Sequence, residues 1–359
     1  MLDLSRVLAG PLCTMTLGDL GADVIKVERP DGGDETRGWG PPFDAEGESA
    51  YFLSINRNKR SLAADFAKPS ELQLVRRLAL EADVVVENFM PESLSRKGLD
   101  ADELLSLNTR LIWCTLGGYA KQPTRPGYDF AVQAECGWMS VTGEPSGQPL
   151  RTAVALIDVL AGKDAALAVL AALVGGRDRP AIERHLAVTL AGSAVAALAN
   201  VAQNVLVSGE DARRWGNAHA NLVPYQLFET ADRSIVVAVG SDAQWRALVG
   251  VLGAQSLAED DALRTNAGRV LNRERCVAAV QQALGMLSAV EWMSRCAAVG
   301  VPVGLVRTVR EALAETDASP LTGVPSSVGG IIRRRPPRLG EHSAEIARWG
   351  WRSSGRTRN

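Results

Sequence analysis

The chain has 359 residues, of which 46% are hydrophobic and 22% charged, and its formal net charge is −2. Those values are typical of a globular protein with a sizeable core, and they give no electrostatic case for binding nucleic acid or an anionic membrane. The five cysteines form no CxxC pair, and the three histidines form no HExxH motif. This pattern favours a reduced, cytoplasmic protein without a metal site.

Three apolar runs in the first third of the chain predict β-strands separated by helical segments. Strands that alternate with helices at this spacing predict a parallel sheet with helices on both faces. Ligands of such sheets bind at the carboxyl ends of the strands. The predicted strands are GADVIKVE at 21–28, EADVVVENF at 81–89 and TRLIWCTLGGY at 109–119, and the segments of interest after them are 28–34, 87–98 and 117–129.

Two familiar interpretations of such a chain are not supported. No strand is followed by GxGxxG, and GxxxxGK[ST] and GxSxG are also absent, which argues against a Rossmann dehydrogenase. Residues 185–209 lack Lys, Arg, Asp and Glu and are long enough to cross a bilayer. Because this segment contains Asn200, Gln203, Asn204 and two glycines, it is better interpreted as a strand end that leads into a long buried helix.

The second half of the chain has a different pattern. Residues 217–253 predict two strands joined by a polar turn and followed by a helix, and two further helical segments come after them. This predicts a small α+β domain between the first sheet and a returning C-terminal segment. The expected bounds are 1–190 for the first part of the large domain, 191–216 for a linker helix, 217–305 for the small domain and 306–359 for the return.

The stretch RTAVALIDVLAG at 151–162 places Asp158 among aliphatic side chains. An ionised carboxylate in such surroundings is costly unless it is paired or used in chemistry. An Ala- and Leu-rich helix is predicted directly after it, at 162–176. Taken alone, the position favours an N-cap role for Asp158, with a catalytic role as the alternative.

Eight segments of the chain form an ordered series that is informative as a whole. They are RVLAGPLCT (6–14), LGDLGADVIKVERPDGGDETRGWGPP (17–42), ESAYFLSINRNKRSLAADF (48–66), ADVVVENFMPESLSRKGL (82–99), RPGYDFAVQAECGWMSVTGEP (125–145), IDVLAG (157–162), GNAHANLVPYQLF (216–228) and RPPRLGEHSAEI (335–346). Together they resemble the class III CoA-transferase family (CaiB/BaiF type), which contains formyl-CoA and carnitine CoA-transferases.

The resemblance implies an α/β fold with an open Rossmann-like parallel sheet. Its large domain is formed by both chain ends, a smaller α+β domain lies between them, and two chains interlock as a homodimer. The implied partners are an acyl-CoA and a carboxylic acid. CoA thioester is then a substrate, and no cofactor is permanently bound.

The resemblance also gives Asp158 a function as the nucleophile. Its carboxylate is implied to attack an acyl-CoA thioester and form an aspartyl mixed anhydride, which the CoA thiolate converts into an aspartyl-CoA thioester. Partial desolvation by Leu156, Ile157 and Val159 raises the reactivity of a carboxylate, which is otherwise a weak nucleophile in water. This role is compatible with capping the helix.

Seven further positions match family contacts to the CoA thioester. By that resemblance, Val7 and Leu8 lie against the thioester, Tyr128 beside the acyl group, Asn88 and Phe89 along CoA, Arg29 at the adenine nucleotide end and Arg96 near the phosphates. Leu8 stands where formyl-CoA transferases have glutamine, which argues against formyl or oxalyl groups. Met90 replaces a common arginine, and RRWGNAH stands where some members have a tetraglycine lid.

Two alternatives remain beside a transferase. The racemase branch of the same fold acts on 2-methylacyl-CoA and carries histidine immediately before the aspartate of the GYD segment. Here that position is Tyr128, whose ordinary pKa of about 10 makes it a poor base. A catalytically silent CoA-binding protein is the other alternative. GNAHANLVPYQLF and RTNAGRVLNRE (264–274) are most similar to members that use succinyl-CoA and another dicarboxylic acid, so succinyl-CoA is the expected donor.

Overall fold

The computed structural model describes residues 1–175, 179–315 and 322–352. Its strands are β1 (Leu2–Asp3), β2 (Val24–Glu28), β3 (Lys59–Ala63), β4 (Val84–Glu87), β5 (Ile112–Gly117), β6 (His185–Thr189), β7 (Tyr225–Glu229), β8 (Ser234–Ala238) and β9 (Val303–Leu305). Its helices are α1 (Ala9–Asp19), α2 (Ala50–Ile55), α3 (Pro69–Glu81), α4 (Ala101–Leu107), α5 (Asp129–Glu135), α6 (Trp138–Val141), α7 (Leu156–Val174), α8 (Ala181–Arg184), α9 (Leu190–Ala196), α10 (Ala199–Ser208), α11 (Asp242–Leu252), α12 (Gln255–Ala258), α13 (Asn266–Leu271), α14 (Arg273–Leu284), α15 (Ala289–Ala298), α16 (Val309–Glu315) and α17 (Ser343–Trp349).

The chain divides into two compact units. Unit 1 takes its residues from Met1–Trp138, Arg151–Asp211 and Ser319–Asn359, so both ends of the chain contribute to it. Unit 2 takes its residues from Met139–Leu150 and Ala212–Ala318. The assignment of Met139–Leu150 to the second unit could not be predicted from the sequence, because this segment is short and has no periodic pattern.

Unit 1 contains a parallel sheet in the strand order β3-β2-β1-β4-β5-β6. Leu2 of β1 pairs with Ile25 on one side and with Val85 on the other. This confirms the predicted open parallel sheet, and the three strands predicted from apolar runs are β2, β4 and β5. Strand order reverses direction between β1 and β4, which is where open α/β sheets bind ligands.

Helices cover both faces of the sheet, and alternate residues of each strand serve the two faces. Val84 and Val86 join the core formed with α1 and α7, whereas Val85 joins the core formed with α3 and α4. The strands therefore have apolar side chains in succession, because neither face is exposed to water. This explains why the valine run of β4 was a reliable strand signal.

Two predicted helices differ from the structure. The helix expected at 162–176 is α7, which begins at Leu156 and therefore includes Asp158. The long buried helix predicted within 185–209, which was also expected to form the linker at 191–216, is instead the pair α9 and α10, bent by 69° to one another. α10 has no buried residue, and no helix occurs from Gly209 to Gly216.

No single helix of the described residues is long and apolar enough to cross a membrane, although the bent pair α9 and α10 passes that test together.

Unit 2 contains the antiparallel sheet β7-β8-β9 and the helices α11 to α16. The two strands and the helix predicted from 217–253 correspond to β7, β8 and α11. Arg269 is fully buried here, where it donates to the carbonyls of Val223 and Leu263 and pairs with Asp242 at 2.8 Å. Its buried charge is thus both hydrogen-bonded and paired, as an interior guanidinium requires.

Candidate active site

The carboxyl ends of β1, β2, β4 and β5 lead into the loops that carry the sequence-predicted site residues. Val7 and Leu8 follow β1, Arg29 follows β2, and Asn88 and Phe89 follow β4. All these positions belong to unit 1. These residues therefore follow the carboxyl ends of the parallel strands, which is the edge of the sheet where the sequence predicted the site.

Asp158 lies in the first turn of α7, but it does not cap this helix. The N-cap position is Ala155, which has no side-chain acceptor. Asp129, at the start of α5, fills that role instead. Its Oδ1 accepts from the backbone N–H of Ile157 at 2.7 Å and from that of Asp158 at 3.3 Å. The N-cap interpretation of Asp158 is therefore wrong, and its carboxylate is available for other chemistry.

Burial, together with the smaller effect of the negative charge of Asp129, raises the pKa of Asp158 to about 7. A helix N-terminus favours the ionised form of a nearby carboxylate. The net rise shows that desolvation and repulsion outweigh that effect here. Near neutral pH, a substantial share of Asp158 is ionised, and this carboxylate is more basic than an exposed aspartate.

Tyr51 of α2 is a member of this site that sequence reasoning missed. Burial, together with the smaller effects of the negative charges of Asp158, Asp129 and Asp34, raises the pKa of its hydroxyl to about 12. Its ring meets the edge of Trp39 with the ring centroids 5.1 Å apart. Tyr51 therefore stays protonated, within electrostatic reach of three carboxylates. The quoted ESAYF segment contained it, but nothing in the local pattern marked it as functional.

The close packing of α1 on α7 connects the loop after β1 with Asp158. A Cβ atom at Gly162 of α7 would lie only 2.6 Å from the backbone oxygen of Ala9. Glycine at this position therefore allows the start of α1 to approach the turn after Asp158. Leu8, at the N-cap position of α1, is buried.

Val7 has a left-handed backbone conformation, with φ of 69°. That conformation is unfavourable for a β-branched residue and persists only where the surroundings impose it. Asn88 imposes it on one side, since its Oδ1 accepts from Arg6 N at 2.9 Å and its Nδ2 donates to Arg6 O at 2.7 Å. Asp34 acts on the other side by accepting from Val7 N at 3.3 Å. The Asn88 amide thus positions the loop after β1.

A network of buried charges supports this loop. Lys26 pairs with Asp34 at 2.9 Å and Lys59 pairs with Asp3 at 2.9 Å, and all four side chains are inaccessible to solvent. Lys26 Nζ also donates to the backbone oxygen of Ser5 at 2.8 Å. Burial alone would raise the pKa of Asp3, but Lys59, Lys26 and two hydroxyl groups lower it to about 2.

The other residues predicted for the site are Phe89, Tyr128, Arg29 and Arg96. Phe89 is half-buried, with the Arg6 guanidinium carbon 4.9 Å from the centroid of its ring. Tyr128 is 62% exposed and directly precedes Asp129. Arg29 is exposed and donates to the backbone oxygen of Gly33, next to Asp34.

Arg96 is exposed and lies 3.3 Å from Glu92 in an ion pair. Within residues 1–175, 179–315 and 322–352, no hydrogen bond or ion pair joins Arg29 or Arg96 to Asp158. The structure thus groups Val7, Leu8, Asn88 and Phe89 around Arg6, and Tyr128 next to the Asp129–Asp158 pair. In the same described ranges, no group of three or more His, Cys, Asp or Glu side chains is placed to hold a metal ion.

Comparison with known proteins identifies the family. Residues 1–324 match the model of CoA-transferase family III. A succinate–glutarate CoA-transferase from Agrobacterium fabrum is 38% identical over 96% of this chain and 93% of its own. A succinyl-CoA:glutarate CoA-transferase from Mus musculus is 37% identical over 96% of this chain and 84% of its own. The crystal structure of a CaiB/BaiF family protein from Brucella suis matches with a TM-score of 0.83 at 38% identity, covering 96% of both chains. The matches span nearly the whole chain, which therefore belongs to CoA-transferase family III and is a CoA-transferase.

Proposed function

We propose that this enzyme transfers CoA from succinyl-CoA to a second, free dicarboxylic acid, with Asp158 as the covalent nucleophile. The observation that carries the proposal is the half-buried carboxyl of Asp158, whose pKa is raised to about 7 and which is not used as a helix cap. The names of the Agrobacterium and mouse relatives support the choice of donor and acceptor.

The reaction proceeds by two exchanges at Asp158. Its carboxylate attacks the thioester carbonyl, the C–S bond breaks, and CoA leaves as a thiolate. The thiolate then attacks the aspartyl carbonyl of the mixed anhydride, releasing the donor acid and leaving an aspartyl-CoA thioester. The acceptor carboxylate attacks this thioester, and the displaced thiolate attacks the acceptor carbonyl of the second anhydride. Acceptor-CoA is released and Asp158 is regenerated.

The surrounding residues suit this sequence of steps. A basic, partly desolvated carboxylate is a better nucleophile than an exposed one, and limited access of water protects an anhydride from hydrolysis. The ring of Tyr51, which packs against Trp39, lies within electrostatic reach of Asp158 and contributes apolar surface there. Val7 and Leu8 are held at the start of α1, and in the proposal they lie against the thioester.

The CoA contacts follow the same proposal. Arg29 and Arg96 are exposed guanidinium groups after β2 and β4, and each suits a phosphate partner. Phe89 offers a ring beside the chain of CoA. Asn88 acts through Arg6, whose backbone its amide holds, and Tyr128 lies beside the acyl group. CoA is bound as a substrate only, with no permanent cofactor.

We further propose that two chains form the interlocked homodimer in the cytoplasm. Leu206 and Val207 of α10 are 78% and 77% exposed, and Val174 at the end of α7 is 87% exposed. Large apolar side chains with this much exposure favour coverage by a partner. Sedimentation of the purified protein is expected to give twice the chain mass.

The state of the cysteines supports the cytoplasmic location. All five cysteines are free, as suits a reducing compartment.

The pH dependence of the reaction is expected to follow Asp158. Since only the ionised carboxylate attacks, kcat/KM for the donor should rise with pH through a midpoint near 7. In Asp129→Asn, the amide oxygen still accepts from the first turn of α7, but the neighbouring negative charge is gone. The midpoint should therefore move to lower pH, as measured from initial rates between pH 5 and 9.

A second substitution at the same position separates charge from hydrogen bonding. Asp129→Ala also leaves the buried N–H of Ile157 without its acceptor, which costs about 1–3 kcal/mol of stability. Thermal unfolding should distinguish the two variants, with the alanine variant less stable. If the midpoint in Asp129→Asn equals that of the wild type, Asp129 does not control the charge of Asp158.

The donor and acceptor are tested by a screen with mass-spectrometric detection of new acyl-CoA species. We expect product only when succinyl-CoA and a longer dicarboxylic acid, such as glutarate, are both present. Formate and oxalate, the shortest dicarboxylate, should give little product as acceptors. The racemase alternative is tested in deuterium oxide with a 2-methylacyl-CoA alone. Rapid exchange at the α-carbon without any acceptor acid would contradict the proposal.

A further inference from the structure

Unit 2 contains two arginines that contact the same tryptophan and have no acidic partner among the residues that the structure describes. The guanidinium carbon of Arg213 lies 4.0 Å from the ring centroid of Trp215, and that of Arg273 lies 4.6 Å from it. Both guanidinium groups therefore contact the same indole ring. We name Arg213, Trp215 and Arg273 the arginine–tryptophan cluster.

The hydrogen bonds of the cluster leave donor capacity unused. Nη2 of Arg273 donates to the backbone oxygen of Ala220 at 2.7 Å, but its Nη1 is buried without a hydrogen-bond partner. In the described ranges of the chain, Arg213 makes no hydrogen bond or ion pair. A guanidinium has five N–H donors in a rigid fork, so these two groups offer several donors to a ligand.

Arg214 lies in the same segment as Arg213, and its side chain is held by hydrogen bonds to the backbone. Arg214 donates to the backbone oxygens of Glu144 and Gly147 at 3.0 and 2.9 Å. The Glu144 carboxylate itself lies beside Gly216, where a Cβ atom would be 2.8 Å from its Oε2. These hydrogen bonds give Arg214 a structural role. They do not account for the positions of Arg213 and Arg273.

The charges of the cluster are also uncompensated. Burial lowers the pKa of Arg273, and the positive charge of Arg213 lowers it further, while no carboxylate is among the causes that act on it. Placing two like charges on one ring is unfavourable unless something neutralises them. Contact with the face of the indole offsets only part of that cost.

We infer that the arginine–tryptophan cluster is an oxyanion-binding site of unit 2, which takes a carboxylate or a phosphate group. Both groups are flat or tetrahedral oxyanions that a guanidinium binds through paired N–H donors. The inference goes beyond the proposed function and rests on it only for the choice of probes.

The test is equilibrium binding without turnover, on the full chain. Glutarate and adenosine 3′,5′-bisphosphate are titrated separately into the wild type, Arg213→Met and Arg273→Met by calorimetry. Each variant is expected to weaken at least one probe by about tenfold or more, since a charge-assisted hydrogen bond is lost. Weakening of glutarate alone identifies the carboxylate as the ligand, and weakening of the bisphosphate alone identifies the phosphate.

Arg275→Met is the matched control, because Arg275 lies on the same helix and pairs with Asp260 at 2.8 Å. It should bind both probes like the wild type. Arg213 is exposed, so its variant remains informative even if Arg273→Met fails to fold. The inference is overturned if Arg213→Met binds both probes as the wild type does, if the control loses as much affinity, or if the wild type binds neither probe. Failure of CoA transfer in the substrate screen would instead overturn the proposed function.

Discussion

Asp158→Asn is expected to reduce CoA transfer by at least about a thousandfold, equivalent to roughly 4 kcal/mol of barrier. An amide has nearly the size of the carboxylate but cannot form the mixed anhydride. The measurement is the rate of acyl-CoA formation by the folded variant, together with trapping on the wild type. Hydroxylamine added during incubation with succinyl-CoA should modify the peptide that contains ALIDVLAG.

The same substitution should make the protein more stable at pH 8. The pKa of Asp158 is raised in the folded state, so folding is favoured by its proton at low pH and penalised once the group ionises. The contribution of Asp158 to the free energy of unfolding is therefore largest below the ordinary aspartate pKa. It declines as the pH rises towards 7. The asparagine variant avoids that decline, and its advantage at pH 8, on the order of 1–3 kcal/mol, should vanish near pH 4.

Asp164→Asn provides the matched control on the same helix. Its carboxylate accepts from Ser193 Oγ at 2.6 Å, which indicates a structural role. The control should keep near wild-type transfer. If Asp158→Asn is folded and transfers CoA as fast as this control, Asp158 is not the nucleophile.

Lys59→Met is expected to cost about 3–5 kcal/mol of stability, because it leaves Asp3 buried with part of its compensation removed. Methionine fills similar space, so packing contributes little to the loss. Denaturant unfolding at pH 7 measures the effect. The stabilisation from Asp3 is present above the ordinary aspartate pKa and is lost as pH falls towards 2, so the difference between the two proteins should shrink in acid.

An exposed ion pair gives the comparison for this second variant. Lys68 lies 3.0 Å from Glu71, and its side chain is 60% exposed. Lys68→Met should therefore cost less than about 1 kcal/mol. Adding Asp3→Asn to Lys59→Met should recover part of the lost stability, since the unpaired charge is removed. Equal losses in Lys59→Met and Lys68→Met would contradict the role given to the buried network.

The sequence predicted the parts of the fold that local pattern controls. The valine runs of β2 and β4 are buried on both faces, so their apolar character was sufficient to identify them. β3 was missed because it begins with Lys59 and Arg60, which are charged yet buried in ion pairs. Charged residues rarely occupy strand interiors, and no local pattern shows that partners elsewhere in the chain compensate them.

The arrangement of the candidate site could not be predicted from the sequence, and Tyr51 was missed. The start of α7 was placed too late, because its cap is Asp129, 29 residues before Asp158 in the chain. The role of Asn88 in holding Arg6 likewise depends on residues 82 positions apart. The contact between Asn88 and Arg6 depends on the pairing of β1 with β4. Periodicity within a short window contains no information about such distant contacts.

The outer edge of β3 is covered by a segment from the far end of the chain. Ser61 N donates to the ring of His342, 281 residues later, and Ala63 N donates to Ser343 Oγ. A ribosome that adds about 5–20 residues per second needs roughly 15–60 s to supply that cover after making β3. During this interval a nascent chain has an open strand edge, which is a template for wrong pairing. The edge of β3 therefore stays uncovered during synthesis until the segment that leads into α17 has been made.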